Sequence, residues 1–156
     1  MSLASGVQIQ DECINAFNKF RMTGGTKGAK PKFIIFKIAD NKREVVVDEI
    51  SEEQDYDVFR TKLEEAKDSK GNPAARYAVY DVEYSLGDTE GSRSKIIFIS
   101  WVPTTTPTLW SMIYASTREV LKNALNVHNS IHADDKSEIE WKAVLAEASG
   151  GKATAK

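Results

Sequence analysis

The segment Arg76-Tyr77-Ala78-Val79-Tyr80-Asp81-Val82-Glu83-Tyr84 lies in the middle of the chain and indicates the fold class. Successive side chains of a β-strand point to opposite faces, so the even-numbered residues from Ala78 to Tyr84 share one face. All of these residues are apolar or aromatic. The pattern therefore predicts a strand over residues 77–84.

The segments on both sides predict further strands. Residues 33–38 are almost continuously apolar and predict an interior strand, which pairs with residues 43–50 across a turn at Asp40-Asn41. Residues 95–101 form a second apolar run, and residues 129–133 form a short strand-like stretch. We therefore expect a mixed central sheet of five to six strands.

Four segments repeat apolar residues at helical intervals and predict helices. They span residues 11–21, 55–67 and 108–126, and a last helix begins at the capping-box pattern Ser137-Glu138-Ile139-Glu140. In the longest helix we expect a shared buried arc made of Ile113, Val120, Leu121 and Ala124. The resulting fold class is α/β (α+β), with the sheet flanked by four or more helices.

The length of 156 residues supports one domain with its own core. We expect this domain over residues 11–149, between a flexible leader at residues 1–10 and a flexible tail at residues 150–156. The leader lacks the basic start and apolar run of a secretory signal, and no stretch is apolar enough to span a bilayer. The lone cysteine, Cys13, cannot form an internal disulfide and indicates a reducing compartment.

Residues that commonly carry catalysis are scarce. Two histidines and one cysteine leave little material for a nucleophile with its base or for a metal cluster. Residues 24–30 resemble a phosphate loop, yet they follow a helix and lack the Gly-Lys-Ser/Thr ending. A net charge of -2 gives no bulk attraction to nucleic acid. The sequence predicts neither an enzyme nor a cofactor-binding protein.

Five motifs together resemble the ADF/cofilin family, most of all its fungal members. In order and spacing they are Ser5-Gly6-Val7, Arg76-Tyr77-Ala78-Val79-Tyr80-Asp81, Arg93-Ser94-Lys95-Ile96, Trp101 with Pro103, and Met112-Ile113-Tyr114-Ala115-Ser116. The resemblance covers residues 5–148 and implies an ADF-homology fold. It also implies a monomeric protein of the cytoplasm and the actin cytoskeleton, with the nucleus as a second location. The implied partners are monomeric and filamentous actin and, weakly, phosphoinositides.

The resemblance implies two actin-contacting surfaces. The first, for monomers and filaments, comprises Ser5, Gly6, Val7, Met112, Ile113, Arg118, Glu119 and Lys122. The second, for filaments, comprises Asp40, Lys42, Glu44, Arg93 and Lys95. Ser5 also corresponds to the serine at which many members are inhibited by phosphorylation, which adds about -1.5 to -2 charges.

Two features of these surfaces follow from the residues themselves. On a helical wheel Met112 lies roughly opposite Ile113 and so faces solvent, either as an adaptable anchor for a partner or as a surface methionine without a role. Arg93 and Lys95 alternate along a strand and point the same way, as a fork for carboxylates or as a solvated strand end. The resemblance favours binding in both cases.

The chain departs from the family pattern near the long helix and in the last one. Leu109 and Ser111 stand where members commonly have two basic residues, and residues 104–106 lack the usual acidic residue. In the last helix, family members have one acidic residue followed by two basic ones. This chain has Ala146, Glu147 and Gly150 at those three positions. We therefore expect filament depolymerisation with weakened severing. The alternative is a monomer-sequestering or adaptor protein that has lost filament activity.

Overall fold

The computed structural model describes residues 7–22, 31–85 and 92–149. The elements within these residues follow the predicted order, with boundaries shifted by up to about three residues at most ends. They are β1 (Gln8–Ile9), α1 (Asp11–Met22), β2 (Phe33–Ile38), β3 (Glu44–Ser51), α2 (Tyr56–Glu64), β4 (Arg76–Ser85), β5 (Ser92–Trp101), α3 (Thr108–Leu125), β6 (Asn129–Ala133), a 3-10 helix (Lys136–Ile139) and α4 (Trp141–Ser149).

The described strands form one mixed sheet of six strands in the order β1-β3-β2-β4-β5-β6. The central neighbours are antiparallel, while β1 and β6 join the two edges in parallel. The predicted fold class, a mixed sheet flanked by helices, is thus confirmed. None of the helices in the described part of the chain is long and apolar enough to cross a membrane.

The start of the described chain differs from the expected flexible leader. Residues 8 and 9 pair with β3, and the Gln8 N–H donates to the Arg43 carbonyl at 2.8 Å. The Val7 side chain is fully buried. Apolar burial and backbone pairing offset the entropy cost of ordering these residues. The remaining leader, residues 1–6, and the expected tail, residues 150–156, lie outside the described residues.

Helices cover both faces of the sheet. On one face α1 and α3 pack over the strands through side chains such as Phe17 and Leu121. On the other face α2 and α4 pack through Phe59 and Val144. Strand β4 contributes to both cores because its side chains alternate, and the predicted inward face from residue 78 to residue 84 lies against α2 and α4.

The register assigns each loop to one end of the sheet. Phe36 on β2 pairs with Tyr77 on β4, which pairs with Ser100 on β5. The β2–β3 turn lies beyond Phe36 in one direction, whereas Lys95 precedes Ser100 in the other. At about 3.3 Å per residue the turn and Lys95 are at least about 20 Å apart along the strands. We name these the turn end and the β5-start end of the sheet.

The buried stripe of α3 differs from the predicted arc. The buried residues are Tyr114, Thr117, Leu121 and Leu125. Ala124 is exposed, and Ile113 and Val120 are only half-buried. An aromatic ring buries far more surface than an alanine or a valine, so the position of Tyr114 determines which side of the helix faces the core.

The last helix begins differently from the prediction. The capping box belongs to the 3-10 helix, with Asp135 as the N-cap in place of the predicted Ser137. The Asp135 carboxylate accepts from the Ser137 N–H at 3.0 Å, and the Glu138 carboxylate accepts from the Asp135 N–H at 3.2 Å. These hydrogen bonds, first of all those from Ser137, hold the pKa of Asp135 below its usual value. Asp135 is the N-cap because a carboxylate is a stronger hydrogen-bond acceptor than a hydroxyl.

Candidate functional site

The solvent face of α3 presents two large apolar side chains. Met112 is 63% exposed, as the helical wheel predicted, and Leu109, one turn earlier, is 57% exposed. Beyond them along the helix lie the small exposed residues Ala115 and Ser116. The sixteen residues from 102 to 117 contain no charged side chain. The first half of α3 is therefore an apolar platform suited to a partner surface of matching chemistry.

This half of α3 is anchored to the sheet by two tyrosines. The Tyr114 hydroxyl accepts from the Ile38 N–H at 2.8 Å, and the Tyr77 hydroxyl donates to the Tyr114 carbonyl. Burial raises the pKa of both phenols, so both remain neutral hydrogen-bonding groups at ordinary pH. Met112 thus projects from a helix whose position is held at the turn end of the sheet.

The second half of α3 carries charge. Glu119 lies between two basic side chains, with its carboxylate 3.9 Å from Arg118 Nε and 4.0 Å from Lys122 Nζ. The Glu119 side chain is mostly exposed, so these are weak surface pairs that a partner can rearrange. Four residues of the first predicted surface, Met112, Arg118, Glu119 and Lys122, are accessible on one helix.

Other members of the first predicted surface are less accessible. Val7 is fully buried in the core beneath α1 and α3, which removes its side chain from the candidate contact set. Ile113 is half-buried and packs against the same core. Ser5 and Gly6 lie outside the described residues. Because Val7 precedes the Gln8 contact with Arg43, the described chain begins at the turn end of the sheet.

The β2–β3 turn lies beside the first residues of α3. Lys42 has a left-handed backbone, with φ 62°, and its N–H donates to the Ala39 carbonyl at 2.8 Å. Its Nζ lies 4.7 Å from the centroid of the Trp110 ring. Asp40 is exposed and Glu44 is half-buried. These three members of the second predicted surface therefore lie at the turn end.

The remaining members of the second predicted surface lie at the β5-start end. Lys95 is exposed on β5 opposite Val82, and Arg93 is opposite Tyr84. The Arg93 side chain lies outside the described part of the structure. On α4, Ala146 and Glu147 are exposed, whereas Val144, Leu145 and Ala148 are buried. Gly150 lies outside the described residues. The predicted filament surface is therefore divided between two ends of the sheet.

The side chains with potential chemical reactivity are in unreactive environments. Cys13 is fully buried, and its thiol donates to the Val45 carbonyl at 3.3 Å. Burial raises the pKa of this thiol to about 12, so it stays protonated. Within residues 7–22, 31–85 and 92–149, no cluster of histidine, cysteine and acidic side chains is arranged to hold a metal ion.

The exposed apolar and charged groups of α3 and the turn define a protein-binding module. Residues 6–149 match the model of the family described as cofilin/tropomyosin-type actin-binding proteins. The cofilin of Kluyveromyces lactis is 44% identical over 93% of this chain and 94% of its own, and that of Saccharomyces cerevisiae is 40% identical over 94% and 95%. The crystal structure of Streptomyces griseoflavus cofilin is 33% identical, covers 94% of this chain and 99% of its own, and superposes with a TM-score of 0.77.

The chain belongs to the ADF/cofilin family, which confirms the resemblance found in the sequence. As a member it is an actin-binding protein that depolymerises filaments, and it is not an enzyme. Membership in this family assigns the chain to the cytoplasmic actin cytoskeleton.

Proposed function

We propose that the chain binds actin monomers and filament sides through α3, and that it depolymerises filaments while severing them weakly. The observation that carries the proposal is Met112, an apolar side chain that is 63% exposed on the anchored half of α3. Exposing such a side chain is unfavourable in water, and a flexible thioether adapts well to a partner's groove. Arg118 and Lys122 add charge next to this anchor.

Filament binding depends on further residues in this proposal. Lys95 is an exposed cation at the β5-start end, and Arg93 lies two residues before it on the same strand. The α4 helix offers the exposed acidic Glu147 where family members carry a basic residue. An acid at that position cannot pair with partner carboxylates. We infer that filament binding persists but provides too little differential energy to distort the filament efficiently.

The second candidate function is monomer sequestration or an adaptor role without filament activity. The exposed Ala146 and Glu147 favour it, because they leave the outer face of α4 without positive charge after Lys142 in its first turn. The uncharged first half of α3 favours it as well. Both candidates share the Met112 surface and differ only in the filament contacts.

Two measurements on the unmodified protein separate these candidates. Titration of labelled actin monomers tests the shared surface, and co-sedimentation with filaments at fixed salt tests the filament contacts. Microscopy of single filaments then counts severing events. Monomer binding with weak co-sedimentation and rare severing supports the main proposal. Monomer binding without co-sedimentation supports sequestration, and failure to bind monomers contradicts both.

We further propose that phosphorylation of Ser5 weakens actin binding. The described chain begins beside the β2–β3 turn, whose Lys42 contacts Trp110 of α3, so we expect a phosphate on Ser5 to bring about -1.5 to -2 charges toward that end of the molecule. Ser5→Glu, which adds less charge, should weaken monomer binding partially, and Ser5→Ala should not. Equal affinities of the phosphorylated and unmodified proteins for actin would contradict this regulation.

Two further expectations belong to the same proposal. The protein acts as a monomer, and its interaction with phosphoinositides is weak because Leu109 and Ser111 provide no charge near the start of α3. Sedimentation equilibrium measures the oligomeric state. Binding to vesicles with and without phosphatidylinositol bisphosphate measures the interaction with phosphoinositides. A nuclear pool in addition to the cytoplasmic one also remains an expectation.

A further inference from the structure

The first half of α3 lacks the positive charge expected beside an actin-binding methionine. Leu109 and Ser111 occupy the two positions where the family commonly has basic residues, and no charged residue occurs between residues 102 and 117. Leu109 is exposed, so its position does face solvent. If this part of α3 contacts carboxylates of actin, the cation has to come from another element.

The β2–β3 turn brings such a cation to α3. The Lys42 ammonium lies 4.7 Å from the centre of the Trp110 ring, and Trp110 is the residue between Leu109 and Ser111. A cation over an aromatic face is attracted by the ring quadrupole, most strongly for tryptophan. Lys42, Leu109 and Trp110 line one cleft, whose other charged lining residues are Asp40 of the turn and Asp68 and Lys70 of the α2–β4 loop.

The backbone of the turn supports this placement. Lys42 adopts φ 62°, a conformation that glycine or asparagine would adopt with less strain. The turn is closed by the Lys42 N–H to Ala39 carbonyl bond at 2.8 Å and by the Ala39 N–H to Glu44 carbonyl bond at 2.8 Å. The backbone of the turn would favour glycine at this position, so turn geometry does not explain the presence of lysine. The reason for lysine therefore lies in its side chain.

The Lys42 ammonium is available to a partner. Among the described residues, no carboxylate lies within 4.0 Å of the Lys42 ammonium, so the carboxylates of Asp40 and Asp68 in the same cleft do not form a direct ion pair with it. Contact with a ring leaves ammonium N–H groups free to donate. Because the turn and the ring already restrict this side chain, binding would cost less conformational entropy than for a free lysine.

We infer that Lys42, held over Trp110, is the cationic part of the α3 actin-binding surface and binds a carboxylate of actin there. It thereby replaces the basic residues that α3 itself lacks. This inference rests on the proposed function and changes the assignment of Lys42 from the filament surface to the surface shared by monomer and filament. The topology agrees, since Lys42 and Met112 lie at the turn end and Lys95 lies at the other end.

Monomer titrations of single variants test the inference. Lys42→Ala and Lys42→Gly should weaken binding to actin monomers by about tenfold, as expected for loss of one charge-assisted hydrogen bond. Lys42→Gly should not lower the melting temperature, because glycine suits the left-handed backbone. Lys42→Arg keeps the charge and stacks on tryptophan, so its affinity should stay within about twofold of the unmodified protein.

Lys70→Ala is the matched control, since it removes the same charge from the other side of the cleft and should leave the affinity unchanged. Equal losses for Lys70→Ala and Lys42→Ala would indicate general electrostatic attraction and overturn the inference. So would unchanged monomer affinity of Lys42→Gly, or a loss confined to filaments. Met112→Ala, measured in parallel, distinguishes failure of the inference from failure of the proposed function, because it should weaken monomer binding in either case.

Discussion

At the scale of single residues, Met112 combines exposure with a fixed position. Its helix is held to β2 and β4 through Tyr114 and Tyr77, so little conformational freedom would be lost when a partner covers it. Arg118 lies farther along the same helix and is partly accessible. A flexible apolar side chain on an ordered helix with a cation nearby is a common arrangement in binding surfaces.

We predict that Met112→Ala combined with Arg118→Ala weakens binding to actin monomers by about tenfold or more, since a binding hot spot is worth about 2 kcal/mol. Fluorescence titration of labelled monomers measures the loss. Thermal unfolding should be nearly unchanged, because Met112 contributes little to the core. Lys19→Ala on the exposed face of α1 serves as the control. An unchanged affinity of the double variant would move the interface away from α3.

At the scale of elements, α4 has one face for the core and another for solvent. Its buried stripe includes Val144, Leu145 and Ala148. Trp141 extends the stripe and lies 5.1 Å from the Tyr56 ring, centre to centre. The hydroxyl of Tyr56 donates to the Ile139 carbonyl at 2.5 Å, which connects α2 to the segment just before α4. Exposed positions of α4 can therefore be changed without disturbing the core.

We predict that Glu147→Arg strengthens filament binding by about two- to fivefold and increases severing, because it replaces a repulsive exposed charge with an attractive one. Co-sedimentation measures affinity, and microscopy of single filaments measures severing. The control is Glu65→Arg, which makes the same change at the exposed end of α2. Vigorous severing by the unmodified protein, without any gain in the variant, would show that α4 contributes little.

At the scale of the whole molecule, the sheet separates two groups of candidate residues. Lys42, Met112 and the entry of the N-terminal segment lie at the turn end, whereas Lys95 lies at least about 20 Å away at the β5-start end. Residues that far apart act nearly independently on binding. A protein with two separated surfaces can contact two actin subunits of a filament but needs only one surface for a monomer.

We predict that Arg93→Ala combined with Lys95→Ala removes filament binding and leaves monomer affinity within about twofold, given this separation. Co-sedimentation and monomer titration, both at fixed salt, test the two parts. Filament binding by the unmodified protein should also weaken as salt rises, since exposed charge contacts are screened. Parallel losses for monomers and filaments would mean that the β5-start end belongs to a single continuous surface.

The order of elements could be predicted from sequence, because the spacing of apolar residues and the positions of turn residues are local properties of the chain. Strand β2 was predicted with its observed bounds because an unbroken apolar run has few alternatives. The two-residue strand β1 was missed, since so short a segment is stabilised only by its parallel partner. The buried side of α3 was predicted wrongly because a helical wheel counts Ala124 as apolar without regard to its small size. It also ignores how much surface the larger Tyr114 side chain buries.

The sequence alone determined the fold class, the family and the exposure of Met112, because these depend on local periodicity and on motifs spaced along the chain. Only the tertiary structure decided that Val7 is buried, that Lys42 lies over Trp110, and that the turn is distant from Lys95. Each of these depends on strand register and on contacts between residues far apart in sequence. The physical reason is that a one-residue change in register would redirect every side chain of a strand while leaving its sequence pattern the same.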